Sequence, residues 1–202
     1  MKKNRIYLEA KKTPSFMGCW SSDNKKLFKN IIDFYNDNIE LQRTGMTAEG
    51  INIKKKSSTD ITIKPLDLKK PEYSDFNNYF QILYDCFLDY VEQWPFLSRL
   101  SDLDIGPFNI QKYIKGDHFS FVHSERMSLK DSNRVFAWMT YLNNVNAGGE
   151  TYFEHFDLSI KPETGKTLIW PAEWTHAHSA EIVDEEKYII TGWINFPSYK
   201  DD

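Results

Sequence analysis

Apolar residues at Leu27, Phe28, Ile31, Ile32 and Tyr35 form one stripe at a period of 3.6 residues, which predicts an amphipathic helix. Ser22 or Asp23 stands before it as the expected N-cap, where a short polar side chain accepts an otherwise orphaned N–H. A longer stripe runs through Phe76, Tyr79, Phe80, Leu83, Cys86, Phe87, Tyr90, Val91 and Trp94. Pro95 should end that second helix, because it has no N–H to donate back. Between the two, "GINIKKKSSTDITIKP" reads as short strands or a loop over the surface.

From about Phe108 the period shortens to two. "FNIQKYIK", "HFSFVHS", "RVFAWMTYLN", "ETYFEHF", "LSIKP", "KTLIWP", "WTHAHSAEIV" and "KYIITGWINF" follow one another at short intervals. "AGGE", "PETGK" and "VDEE" mark turns between them. Eight short strands behind two helices predict an α+β protein: a double-stranded β-helix, or jelly roll, with the N-terminal helices packed on one sheet. The expected division is a helical support region over 1–104 and the jelly-roll core over 105–198, together one compact domain.

Composition narrows this little. A chain of 202 residues with 41% hydrophobic and 15% aromatic content can bury a real core. Its net charge of −4 and lack of a basic stripe argue against a nucleic-acid partner. The runs "KKNR", "NIKKK" and "DLKK" read as solvated loops. No apolar run reaches the length of a membrane span, and "MKKNRIYLEAKK" lacks the apolar centre of a signal peptide, so no membrane association is expected. Cys19 and Cys86 make no disulfide framework and fit no zinc spacing, which points to a reducing, cytoplasmic setting.

The candidate chemistry lies in the strand-rich half, where all five histidines fall. His123 and Glu125 are two apart, so on a strand they share a face and reach one point in space. Two histidines and one carboxylate with open positions form the usual cage for non-haem Fe(II). "WTHAHSA" offers His176 or His178 as the third ligand. A second H-x-[DE], His155 with Asp157, stands too near that stretch to leave room for the intervening strands of a jelly-roll cage. His155 therefore reads as a surface or structural residue, and His118 as a loop residue near the mouth. Arg126 and Arg134 each admit a structural role or a contact with substrate.

Four ordered segments over 109–195 resemble the catalytic core of the prolyl 4-hydroxylase-like 2-oxoglutarate/Fe(II) dioxygenases. They are "QKYIKG", "RVFAWMTYLNNVNAGGETYF", "GKTLIWP" and "KYIITGWINF". The resemblance implies Fe(II), 2-oxoglutarate and O2, with ascorbate as an optional addition. Iron would be held by His123, Glu125 and His178, since "HSAEIVDEEKYIITGW" matches the hypoxia-type spacing; His176 is the alternative distal ligand. Lys187 would neutralise the far carboxylate of 2-oxoglutarate, Thr191 on the same face would hydrogen-bond it, and Trp193 would wall the pocket. Tyr113 and Tyr141 would face the co-substrate, Tyr141 serving equally as a core residue.

Two departures stand out. Glu125 stands where most relatives carry Asp, although the clavaminate-synthase-like amino-acid hydroxylases use H-x-E. The distal His is doubled as His176 and His178, without the Pro that commonly follows it. The implied activity is hydroxylation of an aliphatic C–H of a prolyl or other residue in a peptide. A free amino acid as substrate and an inactive jelly-roll binding module are the alternatives. A cupin-type isomerase or lectin would not need Lys187 and Thr191.

Overall fold

The computed structural model of the chain describes residues 15–47 and 49–197; the "MKKNRIYLEAKK" start, with its "KKNR" run, lies outside them. Helix α1 (Lys25–Asp37) buries Leu27, Phe28, Ile31 and Tyr35. Its cap is Asn24, not Ser22 or Asp23: the Asn24 side chain accepts the Leu27 N–H at 3.3 Å. Asn has the same short acceptor, one residue later, so composition could not separate the three. Helix α2 (Ser74–Gln93) buries Phe76, Tyr79, Leu83, Cys86 and Tyr90, and gives way to a 3-10 turn at Pro95.

The strands are β1 (Gly18–Ser21), β2 (Arg43–Thr44), β3 (Thr59–Ile63), β4 (Asp104–Ile105), β5 (Phe108–Tyr113) and β6 (Phe119–His123), then β7 (Arg134–Tyr141) and β8 (Thr151–Phe153). They continue with β9 (Leu158–Ile160), β10 (Lys166–Pro171), β11 (His178–Ala180) and β12 (Lys187–Asn195). Eight strands form the larger sheet in the order β1-β10-β7-β12-β5-β3-β2, with β4 also on β12. The other four form a smaller sheet, β6-β11-β8-β9. Every strand from β5 to β12 has its counterpart in the reading from sequence, whereas the two-residue β4 has none.

Alternation along β7 shows how the layers form. Phe136 and Trp138 pack with α1 and α2, whereas Ala137, Met139 and Tyr141 join the core between the two sheets. In β12, Tyr188, Ile190 and Ile194 face the helices while Ile189 and Trp193 face inward. A period of two thus sorts one strand into a helix-covered face and a barrel face.

In the first half, "TDITI" takes the strand alternative: it is β3, hydrogen-bonded to β5 with Ile61 and Ile63 buried. One reading there is corrected. The "NIKKK" run is not wholly solvated: Lys56 is buried, its Nζ 2.7 Å from Asp60 Oδ2. Burial of that ammonium is tolerable only because the carboxylate is carried in the same segment.

Candidate metal and co-substrate site

β6 ends at His123, Glu125 follows in the turn beyond it, and β11 begins at His178, paired directly opposite His123. This register brings the three side chains together, with one ligand atom from each within 4.8 Å of the others. The two imidazoles are oriented in the same way. His123 Nδ1 lies 2.9 Å from Phe121 O, and His178 Nδ1 lies 2.9 Å from His176 O. A carbonyl oxygen can only accept, so each Nδ1 carries a proton and each ring presents its Nε2 on the side away from that carbonyl. His178 Nε2 is 3.4 Å from Glu125 Oε1.

Two imidazole nitrogens converging beside a carboxylate suit a shared cation or proton, and the donor set is the facial pattern that suits Fe(II). Burial, then the neighbouring His178, push His123 down to about 4, so it is neutral near pH 7. Burial alone would raise the Glu125 carboxyl. The contact with His178, the charge both rings carry when protonated and the Trp193 N–H outweigh it, and hold it at about 2. His123 and Glu125 are thus already in the protonation states that a metal requires.

His176 is turned elsewhere: Nε2 lies 2.8 Å from Ser15 O and Nδ1 3.0 Å from Thr175 Oγ1. His155 is exposed against Trp174, and His118 stays local, its Nδ1 3.0 Å from Ser120 Oγ.

Lys187 is 2% exposed, and its Nζ donates to Gly149 O at 2.9 Å and sits 4.5 Å over the Tyr113 ring. Among the described residues no carboxylate forms an ion pair with it, and burial pulls it down to about 8. The turn that offers this carbonyl needs glycine. Gly149 has a φ of 74°, and a Cβ there would meet Val183 Cγ1 at 2.7 Å and Lys187 Cδ at 3.2 Å.

Tyr113 lies opposite Lys187 in the β5–β12 register, its hydroxyl donating to Gln111 Oε1 at 2.8 Å. Thr191 Oγ1 donates to Trp138 O at 2.9 Å. The Tyr141 hydroxyl is held by Thr151 Oγ1 at 2.6 Å and Ile160 O at 3.2 Å. Arg126 ion-pairs with Glu173. Arg134 donates to Glu125 O at 2.7 Å and pairs with Asp131 at 3.0 Å, which gives it a structural position in the turn after His123.

Reading the sequence alone misses one group beside the site. Asp60 takes donors from Lys56, from Ser58 at 2.8 Å and from Gln111 at 3.2 Å, and Gln111 in turn accepts the Tyr113 hydroxyl. Gln111 could have been found, since two residues before Tyr113 on a strand is the same face. Lys56 carried no signal that distinguishes it from its lysine neighbours.

Residues 108–195 match the profile of the 2OG-Fe(II) oxygenase superfamily. The chain is similar to prolyl 4-hydroxylase 2 of Arabidopsis thaliana, 23% identical over 141 residues, which cover 55% of this chain and 47% of the relative. It therefore spans about half the length of that curated relative. Its fold is that of a Pseudomonas putida prolyl-4-hydroxylase, with a TM-score of 0.69 at 15% identity over 91% of this chain and 94% of the other. It is also that of a prolyl hydroxylase from Trichoplax adhaerens solved with a hypoxia-inducible-factor peptide fragment, with a TM-score of 0.68 at 14% identity over 90% and 84%. Converging imidazoles, an adjoining carboxylate and these likenesses agree: residues 108–195 match the 2OG-Fe(II) oxygenase superfamily and are similar to prolyl 4-hydroxylases.

Proposed function

We propose that this chain hydroxylates an aliphatic C–H of a prolyl residue in a peptide, using Fe(II), 2-oxoglutarate and O2. The observation that carries the reading is the inward aim of His123 and His178 beside Glu125, fixed by the two Nδ1–H bonds to backbone carbonyls. His123, Glu125 and His178 would hold the iron. When bound, the metal and 2-oxoglutarate supply oxidative decarboxylation to succinate and carbon dioxide, coupled to hydroxylation of the substrate.

The chain's own residues bind and orient. Lys187 would neutralise the far carboxylate of 2-oxoglutarate, which its burial without a carboxylate partner among the described residues favours. Tyr113, stacked under that ammonium, would form one wall, and Trp193 another beside Glu125. Thr191 and Tyr141 would line the same pocket, each through a hydroxyl now bonded within the protein. Their apolar neighbours Met139, Leu168 and Ile189 keep water out of the space between the sheets.

A peptide substrate is favoured by the relatives, which are named as prolyl hydroxylases, one of them solved with a peptide fragment. We assign the catalytic core to 105–198 and the support to 1–104. No helix among the described residues is long and apolar enough to cross a membrane, and both cysteines are free. A reducing, cytoplasmic setting fits those thiols.

The test is succinate release from 2-oxoglutarate with Fe(II), run with proline-rich peptides and with free proline. The wild-type protein should turn over with peptide, and His123→Ala should be inactive while keeping its circular dichroism. Equal turnover in His123→Ala would place the iron elsewhere. Turnover with free proline alone would replace the peptide with an amino acid.

A further inference from the structure

We infer that Trp193 and Arg134 form a brace suited to glutamate at position 125, with Trp193 as the positioning residue that decides which carboxylate oxygen faces the two imidazoles. The inference rests on the metal-centre reading above. The Trp193 indole N–H donates to Glu125 Oε2 at 2.6 Å, while Oε1 is the oxygen 3.4 Å from His178 Nε2. The two oxygens therefore have separate tasks: one is tied to the protein and the other is left for a cation. Glutamate has one more rotatable bond than aspartate, and an unrestrained carboxylate could swing or offer both oxygens. A charge-assisted bond from a ring that is itself covered by a guanidinium restricts that freedom.

Arg134 is what holds the ring. Its guanidinium carbon lies 3.8 Å from the centre of the Trp193 ring. The same group donates to Glu125 O at 2.7 Å and pairs with the buried Asp131 at 3.0 Å, which also accepts Ser128 Oγ at 2.7 Å. One planar cation thus grips the Glu125 backbone and stacks on the indole that grips its side chain. Lysine could supply the charge but neither the fork nor the plane. An aspartate at 125 would be shorter by one C–C bond, about 1.5 Å, and could not serve the indole and the imidazoles together.

The experiment is a double-mutant cycle read as Mn(II) affinity by electron paramagnetic resonance. It uses the wild type, Trp193→Phe, Glu125→Asp and the double variant, each checked by metal-free thermal unfolding. Trp193→Phe keeps the stack and removes the donor, so Mn(II) binding should weaken about tenfold, as expected for a lost hydrogen bond to a charged group. In the Glu125→Asp background the same change should have almost no effect, because the bond it removes is already gone. Co(II) absorption should shift in Trp193→Phe as the released oxygen reaches the metal, and Arg134→Lys should weaken Mn(II) in the same direction.

Additive costs in the cycle, or unchanged Mn(II) affinity in Trp193→Phe, would overturn the brace while leaving the metal centre intact. Wild-type affinity in Arg134→Lys would remove the arginine's part. A wild type that binds no Mn(II), or binds it equally with His123→Ala, would overturn both the brace and the metal-centre reading.

Discussion

Lys56 and Lys187 are both buried beside the space between the sheets, 3% and 2% exposed, yet they are satisfied in opposite ways. Lys56 has a carboxylate at 2.7 Å, and that carboxylate is itself bonded by Ser58 and Gln111. Lys187 has one backbone carbonyl and the face of Tyr113. They stand at the two ends of one chain of contacts: Lys56 to Asp60, Asp60 to Gln111, Gln111 to the Tyr113 hydroxyl, and the Tyr113 ring to Lys187. A buried ammonium is costly unless a negative charge accompanies it. The Lys56 end meets that need from within the sequence, so it is a finished structural pair. The Lys187 end leaves it open, as a site for a dicarboxylate would.

The largest effect should come from removing the open cation. Lys187→Ala would leave the far carboxylate of bound 2-oxoglutarate buried without a partner, a loss of about 3–5 kcal/mol. At about 1.4 kcal/mol per tenfold, this is hundreds- to thousands-fold in affinity. The check is a 2-oxoglutarate titration of the Fe(II) protein followed by its charge-transfer band, with iron affinity as the control. An unchanged dissociation constant would make Lys187 a structural residue like Lys56 and erase the contrast.

Removing the closed cation should act on stability instead. Lys56→Met strands Asp60 with only Ser58 and Gln111 as donors, and should cost about 3 kcal/mol, near the lower end for a broken buried pair. Urea unfolding measures this. Adding Asp60→Asn should recover most of the loss, because the stranded charge disappears. If Lys56→Met weakened 2-oxoglutarate as strongly as Lys187→Ala, the two lysines would share one role.

pH separates them by a third route. Lys187 titrates near 8 in the folded protein against 10.5 for an ordinary lysine, because burial disfavours its charge. Between those values the unfolded chain holds a proton that the folded chain has lost. Stability of the ligand-free protein should therefore rise with pH across that window, by about 3 kcal/mol in all. Below pH 8 both states are charged and the penalty is constant. In Lys187→Met the rise should be missing, and comparing the two proteins cancels the other groups that titrate there. Affinity for 2-oxoglutarate should run the other way, falling above pH 8 as the cation is lost.

The same contrast separates what the sequence disclosed from what it concealed. Residues that repeat at a structural period were legible: the stripes of α1 and α2, and the alternation that sends Trp138 to the helices and Met139 inward. The burial of Lys187 was legible because it stands in an ordered motif with Thr191 and Trp193. The approach of Glu125 to His123 was legible through strand spacing, and the choice of His178 over His176 through the family-like spacing to Lys187. His155 stood too near the distal stretch and is exposed. Lys56 was not, since a lysine run has no period and its burial depends on how β3 joins β5 far along the chain. Strand β1 was too short at four residues to show a period, and its place beside β10 is set by pairing alone. The bond from Trp193 to Glu125 spans 68 positions, which no local pattern encodes.

Thr191 gives the smallest and sharpest test of the open end. Its hydroxyl proton is committed to Trp138 O at 2.9 Å, so at rest it can only accept from a ligand. To donate to the far carboxylate beside Lys187 it must rotate, exchanging a neutral acceptor for a charged one. Bonds to charged groups are worth about 1.5–3 kcal/mol and neutral ones about 1, so the net gain on binding is about 1 kcal/mol. Thr191→Val keeps the shape and removes the hydroxyl. It should weaken 2-oxoglutarate about fivefold in the same titration, a far smaller loss than with Lys187→Ala, and leave Trp138 O without that donor in both states. In the Lys187→Ala background the Thr191→Val effect should shrink, because a carboxylate no longer drawn to the ammonium no longer lies beside the hydroxyl. Undiminished effects in that background would mean that Thr191 acts through the β7–β12 pairing, and that the open end consists of Lys187 alone.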